Sequence, residues 1–262
     1  MNNISEIQEF INNLLIRAGN LLLEYFGKLE TKDIRFKNPK DMVTEADMRA
    51  EEFIKSEITK KIPEADFVAE ESFTGSIPES DNLWIVDPLD GTTNFVHTLP
   101  IFAVSISFLN KGTLTNAGTY IPILKELYYA EKGKGAYLND RRIKVSPTDD
   151  LKKSILATGF ACLRKGSRRN NLIYLPEILP RIRGIRRYGA ATYDFCCVAS
   201  GKIDGFWELE LGPWDMMAGS LIVEEAGGKV TDFSNEKNFI EKREVLATNG
   251  LLHNILLELL NR

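Results

Sequence analysis

The chain has 262 residues, 44% of them apolar and 27% charged, the composition of a globular protein long enough to bury a sizeable core. A net charge of −4 and a pI near 5.5 argue against a general binder of nucleic acid or membrane surfaces, but leave room for an anionic substrate held through a metal ion. Three cysteines, two of them adjacent, make no disulfide framework, and two histidines supply little for a zinc site or a Ser-His-Asp triad. No apolar run approaches the roughly 18–20 residues of a membrane span. The opening MNNISEIQEF has neither the basic start nor the apolar block of a secretory signal, so a cytoplasmic protein is expected.

In chain order, Ile4, Ile7, Ile11, Leu14, Leu15, Ala18, Leu22 and Phe26 recur at helical spacing, which predicts a helix over about 4–26 stopped by Gly27. A second helix is predicted from Thr44, where Thr44 and Asp47 resemble a capping pair, to about Lys61 before Pro63. Strands are expected near 66–70, 83–87, 102–108, 114–121, 126–131 and 143–145, with glycine or proline punctuation between them. The second half alternates: strand near 154–159, helix near 168–180, strand at 184–188, helix at 191–200, strand at 203–208. A helix from Pro213 to Ala226, a strand over 245–249 and a terminal helix from 251 complete it. The pattern predicts an α+β protein in two halves, 1–147 and 148–262, divided near Pro147 without any linker composition.

Four acidic segments stand out. In the stretch WIVDPLDGTTNF (84–95), an apolar run ends in Asp87, and a turn then presents Asp90, Gly91 and two threonines. Proline fixes its own φ and pushes the preceding residue toward an extended conformation, so the strand is expected to stop at Asp87. The Leu89 carbonyl is the best candidate to point the same way as the two carboxylates. Gly91 lets the backbone approach a ligand closely, and a short helix from Thr92 would aim free N–H groups at an anion. Oxygen donors of this kind suit Mg²⁺, which takes one or two carboxylates and leaves room for water and phosphate. The other segments are Glu70-Glu71 at a strand end, Asp215 in the first turn of a helix opened by Pro213, and Lys40 to Asp47. Taken alone, each of these three fits a solvated or helix-capping acid better than a ligand.

Together the segments KDMVTEAD, AEES, WIVDPLDGTTNFV, GAATYDF and PWDMMAG followed by AGG resemble the inositol monophosphatase family, in order and spacing and over essentially the whole chain. The second half, RRYGAATYDFCCVASGKIDGFWE, looks most like the bacterial members. The resemblance implies a layered α/β sandwich of the fructose-1,6-bisphosphatase-related type, forming a single catalytic domain over 1–262. Its N-terminal half would carry most metal ligands, and its C-terminal half Glu208 and Asp215. It also implies Mg²⁺-dependent hydrolysis of a small phosphorylated polyol, most of all myo-inositol 1-phosphate, by direct attack of a metal-activated water.

By position in that family, Glu70, Asp87 and the Leu89 carbonyl would hold one Mg²⁺ and Asp87, Asp90 and Asp215 a second, with a third, looser ion near Glu70. Thr92 and Asp47 match a pair that orients and deprotonates the water, and Glu70 belongs with them in the catalytic set. The phosphate would rest on Gly91 and Thr92, and the alcohol half would meet Asp90, Arg186, Gly189, Ala190, Ala191, Glu208 and Asp215. Ala190 departs from the serine or threonine frequent there, and Ala69 from a usual glycine. A homodimer is implied as well. The alternatives are a fructose-1,6-bisphosphatase or other small-metabolite phosphatase and, in a different class, a regulatory partner of the transcription machinery. For the latter the basic segment Arg164 to Arg169 offers a contact surface, though it fits a solvated loop as well.

Overall fold

The computed structural model of the protein describes residues 5–29, 34–38 and 41–261. Ile4 and Lys40, included in the helix and motif above, lie outside these described residues. The first helix, α1 (Glu6–Tyr25), is capped by Ser5, whose hydroxyl accepts from the Gln8 amide at 3.3 Å. It buries the expected stripe of Ile11, Leu14, Leu15, Ala18 and Leu22. A hairpin of β1 (Ile34–Asn38) and β2 (Asp41–Thr44) leads directly into α2 (Glu45–Lys61).

A seven-stranded sheet follows, from β3 (Asp66–Ala69), β4 (Asn82–Asp90), β5 (Ala103–Asn110), β6 (Thr113–Ile121), β7 (Glu126–Glu131), β8 (Gly135–Leu138) and β9 (Arg141–Arg142), arranged in that order. Only the β3–β4 pair is parallel. A five-stranded sheet comes from β10 (Ile155–Thr158), β11 (Gly184–Arg186), β12 (Gly205–Leu209), β13 (Lys229–Thr231) and β14 (Glu244–Thr248), in the order β11-β10-β12-β14-β13. The remaining helices are α3 (Thr92–Val96), α4 (Ala161–Arg164), α5 (Leu175–Ile178), α6 (Ala191–Ala199), α7 (Pro213–Glu225), α8 (Phe239–Lys242) and α9 (His253–Leu260).

Alternation along the strands sorts the layers. Trp84 and Val86 of β4 face α1 and α2, in one core with Leu15, Ile54 and Phe102. Leu83 and Ile85 face the opposite way, toward Trp214 and Met217 of α7, and Asp87 continues that row. On that same side α6 and α7 pack in one core between the two sheets, touching Ala117 and Tyr128 of the first and Phe206 and Val245 of the second. Trp207 and Leu246 point out of the second sheet into a core closed by α9 and the helical segment around Tyr174 and Ile178. The result is an α+β sandwich of five layers, helix–sheet–helix–sheet–helix, whose central helices are shared by both halves of the chain.

Three expectations need correction. β4 does not stop at Asp87: Asp87 pairs with Ser105 and Asp90 with Ala103, so one extra residue bulges out around Pro88-Leu89 and pairing resumes. Proline lacks the N–H a regular ladder needs, and the bulge accommodates it. No strand spans 143–145; Asn139 (φ 46°) and Asp140 (φ 64°) form a left-handed two-residue turn that ends the sheet at Arg142. The helix expected over 168–180 is broken into a 3-10 turn (Asn171–Tyr174), α5 and a second 3-10 turn (Leu179–Arg181), because Pro176 and Pro180 interrupt it.

The shared helix pair depends on one close approach. A Cβ built at Gly219 of α7 would lie 2.3 Å from Cγ of Phe195 on α6, so the two helices pack at a distance only glycine permits. Gly219→Val is expected to destabilise the protein by about 1–3 kcal/mol, the usual range for overpacking. Denaturant unfolding with the wild-type m-value retained is the check; an unchanged midpoint would contradict the close packing.

Candidate active site

The bulge in β4 is where the site is built. It turns the end of the strand so that Asp87 and Asp90 face the N-terminus of α7, which brings Asp215. Ligand oxygens of Asp87, Asp90 and Asp215 lie within 4.8 Å of one another, and these three form a group able to hold a metal ion. Each is held from one side. The Leu89 amide donates to Oδ1 of Asp87 at 3.0 Å, and the Gly212 amide donates to Oδ2 of Asp215 at 2.6 Å. The amide and hydroxyl of Thr192 donate to Oδ2 of Asp90 at 2.7 and 2.6 Å. Oδ2 of Asp87 is buried and accepts no hydrogen bond, which is costly for an ionised oxygen unless a cation meets it.

The titration behaviour agrees. Burial, then the negative charges of Glu70, Asp90 and Asp215, pushes Asp87 well above the usual carboxylate range. Burial raises Asp90 too, against the hydrogen bonds from Thr192. Burial and the charge of Asp90 push Asp215 up to about 7. Glu70, at the end of β3, lines the same cleft and is the largest charged influence on Asp87. With neither sulfur nor imidazole in the set, these donors fit a hard cation such as Mg²⁺.

Thr92 and Asp47 meet as expected, from elements 45 residues apart. Asp47 closes the capping box of α2, its Oδ2 accepting from the amide and hydroxyl of Thr44 at 2.8 and 2.6 Å. Its other oxygen, Oδ1, accepts from the Thr92 hydroxyl at 3.2 Å, and the Leu89 carbonyl lies 3.1 Å from the same hydroxyl. Gly91 sits at φ 87°, a conformation that favours glycine, and a Cβ there would press on the Ile101 carbonyl at 3.1 Å.

The cleft holds about 240 Å³ and is lined by Glu70, Leu89, Asp90, Gly91, Thr92, Gly189 and Asp215. A recess of about 40 Å³ adjoins it, lined by Asp90, Gly189, Ala190, Ala191, Glu208 and Asp215 among others. Glu208 is buried, accepts from the Ala161 amide at 3.0 Å, and is pushed up to about 7, chiefly by burial. Asn94 joins the two sides of the cleft, donating to the carbonyls of Ile101 at 2.6 Å and Tyr188 at 2.8 Å.

Arg186 is not brought to the site. It is exposed, donates to the Ile185 carbonyl at 3.0 Å and does not line the cleft; the neighbouring Arg187 does. Arg164 and Lys165, read from the sequence as part of a contact segment or solvated loop, line the cleft instead, and Asp194, which lines the recess, was missed. A usable signal existed for Asp194: it is the only charged residue of α6, a helix in which every residue is buried.

The profile of the inositol monophosphatase family matches residues 3–262. The chain belongs to the inositol monophosphatase family. Within the family it is similar to an inositol-1-monophosphatase of Mesorhizobium japonicum, 38% identical over 93% of this chain and 91% of that one. It is also similar to the Nus factor SuhB of Pseudomonas aeruginosa, 41% identical over 88% of this chain and 87% of that one. The crystal structure of the extragenic suppressor protein suhB of Bartonella henselae superposes with a TM-score of 0.91 at 38% identity, covering 98% of this chain and 99% of that one. The protein is accordingly a phosphatase of a Mg²⁺-dependent family, with an acidic cluster fit for that ion. Among the described residues no helix is long and apolar enough to cross a membrane.

The raised acids make a stability prediction. In the metal-free protein, Asp215 and Glu208 titrate near 7 when folded, against about 4 when unfolded. Between those values the folded state binds more protons than the unfolded one, so stability falls as pH rises toward and through 7. Melting temperatures in EDTA should therefore decrease from about pH 5 to pH 8. Saturating Mg²⁺ should flatten the slope by replacing protons at Asp215. A metal-free profile that rises over this range would contradict the buried-acid geometry.

Proposed function

We propose that the protein hydrolyses small phosphate monoesters, with myo-inositol 1-phosphate as the preferred substrate. The observation that carries this reading is the cluster of Asp87, Asp90 and Asp215, with an unpartnered oxygen on Asp87, at a cleft that Asp90 and Asp215 line. Glu70, Asp87, the Leu89 carbonyl, Asp90 and Asp215 would hold two Mg²⁺ ions, with a third in reach of Glu70. Bound there, Mg²⁺ supplies neutralisation of acids and phosphate together and activation of the attacking water. Asp47 Oδ1 holds the Thr92 proton, which leaves the lone pairs of Thr92 Oγ1 free to accept from the incoming water. The amides of Gly91 and Thr92 would receive phosphate oxygens, and Ala190, Ala191 and Glu208 would border the alcohol. No nucleophilic side chain is needed, so the displacement is direct.

Asp90→Asn, Asp215→Asn and Thr92→Ala are each expected to lower kcat/KM for myo-inositol 1-phosphate by at least about 100-fold. Thr92→Ala should act on kcat, with KM little changed. Phosphate release with Mg²⁺ at wild-type rates in all three would sink the assignment.

A second reading, a sugar bisphosphatase, is supported by the cations Arg164, Lys165 and Arg187, which line the same cleft as the acids. They would suit a substrate with a second anionic group. If so, Arg164→Ala and Lys165→Ala should lower kcat/KM for fructose 1,6-bisphosphate about tenfold more than for myo-inositol 1-phosphate. Equal losses on both would leave the monoester reading alone. A role beside the transcription machinery is supported by the name of the Pseudomonas relative. The segment Arg164 to Arg169 is a poor surface for it: two of its cations line the cleft, and Arg169 pairs with Glu244 at 2.5 Å.

A further inference from the structure

Asp194 lies in the third position after Ala191 on α6, 2% exposed, among alanine, tyrosine, phenylalanine and cysteine neighbours. Its amide bonds the Ala190 carbonyl as part of the helix, but its side-chain Oδ1 is buried and accepts no hydrogen bond. An acid kept in such a place lowers stability, because its water contacts are lost and nothing replaces them. Asp194 nevertheless lines the recess, together with Glu208, Asp90 and Arg187.

The recess has a definite character. Two acids from opposite elements, Asp194 of α6 and Glu208 of β12, line it, and the Ala161 amide occupies one oxygen of Glu208. Gly159 forms a further wall, and a Cβ there would fall 2.1 Å from Oε2 of Glu208. At about 40 Å³ it takes one or two hydroxyl-sized groups, not a phosphate and not a whole ring. It shares Asp90, Gly189 and Asp215 with the cleft, so a molecule whose phosphate sits in the cleft would reach the recess with its alcohol half.

We infer that Asp194 is a specificity-determining residue: beside Glu208, its carboxyl hydrogen-bonds a hydroxyl of the substrate's alcohol half and so selects polyol phosphates over simple esters. This rests on the phosphatase reading above for the placement of the phosphate. A site built to bond a hydroxyl discriminates strongly against a ligand that lacks one, since the buried polar group is then left unpaired.

The test compares Asp194→Leu, which removes polarity with a larger side chain, with Asp194→Asn, which keeps volume and can still donate and accept. The ratio of kcat/KM for myo-inositol 1-phosphate to that for p-nitrophenyl phosphate should fall about tenfold in the leucine variant and stay within about threefold in the asparagine variant. Binding of free myo-inositol to the Mg²⁺-loaded protein, followed by calorimetry, should weaken in parallel. The leucine variant should also melt higher than wild type by about 2–4 °C, the reverse of what a merely structural carboxyl would give. An unchanged substrate ratio, an unchanged inositol affinity or a lowered melting temperature would each overturn the inference. If wild-type protein released no phosphate from any ester while inositol affinity still fell in Asp194→Leu, the phosphatase reading would fail and the hydroxyl subsite would stand.

Discussion

Three carboxyl groups with oxygens within 4.8 Å of one another, in a site largely withdrawn from solvent, are the constraint on which the arrangement of this molecule turns. At such a separation each ionised pair repels by about 3–4 kcal/mol for an effective dielectric near 20. The amides of Leu89, Thr192 and Gly212 and the Thr192 hydroxyl oppose this, each charge-assisted bond contributing about 1.5–3 kcal/mol. Burial is the largest cause in each case, and all three acids are raised above the usual carboxylate range. A cation among them would relieve the repulsion and at the same time partner the free oxygen of Asp87. The site is therefore strained toward binding metal before any substrate arrives.

That strain can be held only because the acids belong to different, well-buried elements. Asp87 and Asp90 end an interior strand whose preceding residues are almost fully enclosed, and Asp215 opens a helix packed between two sheets. Gly219 matters for the same reason: by letting α6 and α7 touch closely, it sets where Asp215 and Asp90's partner Thr192 stand relative to each other.

Much of this was legible in the chain, though for different reasons in different places. The stripe from Ile7 to Leu22 reported α1 because an amphipathic helix writes its period directly into the sequence. Thr44 and Asp47 were readable as a cap because both partners lie three residues apart, and the capping box is present. The convergence of Glu70, Asp47 and Asp215 was not readable from spacing; it came from resemblance to a family. Arg187 was displaced by one position to Arg186 because a strand end alternates, and no local rule tells which of two adjacent arginines turns inward. The 168–180 helix failed where two prolines outweighed apolar periodicity. The bond between Asp90 and Thr192 spans 102 residues and could be seen only once the fold had joined them.

That bond also explains how this chain manages with Ala190. The residue stands at the N-cap of α6, where it offers no side-chain acceptor to the first turn. Asp90 takes over, accepting the Thr192 amide across the sheet as a cap normally would from within the helix. One carboxylate thus has its two oxygens divided, Oδ2 to the helix and the other left toward the acid cluster. Loss of the charge at Asp90 would weaken α6 at its first turn as well as the metal site. The helix so anchored carries Ala191 and Asp194 along the recess. Whatever holds a cation in place therefore also sets the position of the residues proposed to meet the alcohol. The acid cluster and the recess beside it are mechanically one structure here, joined through a single aspartate.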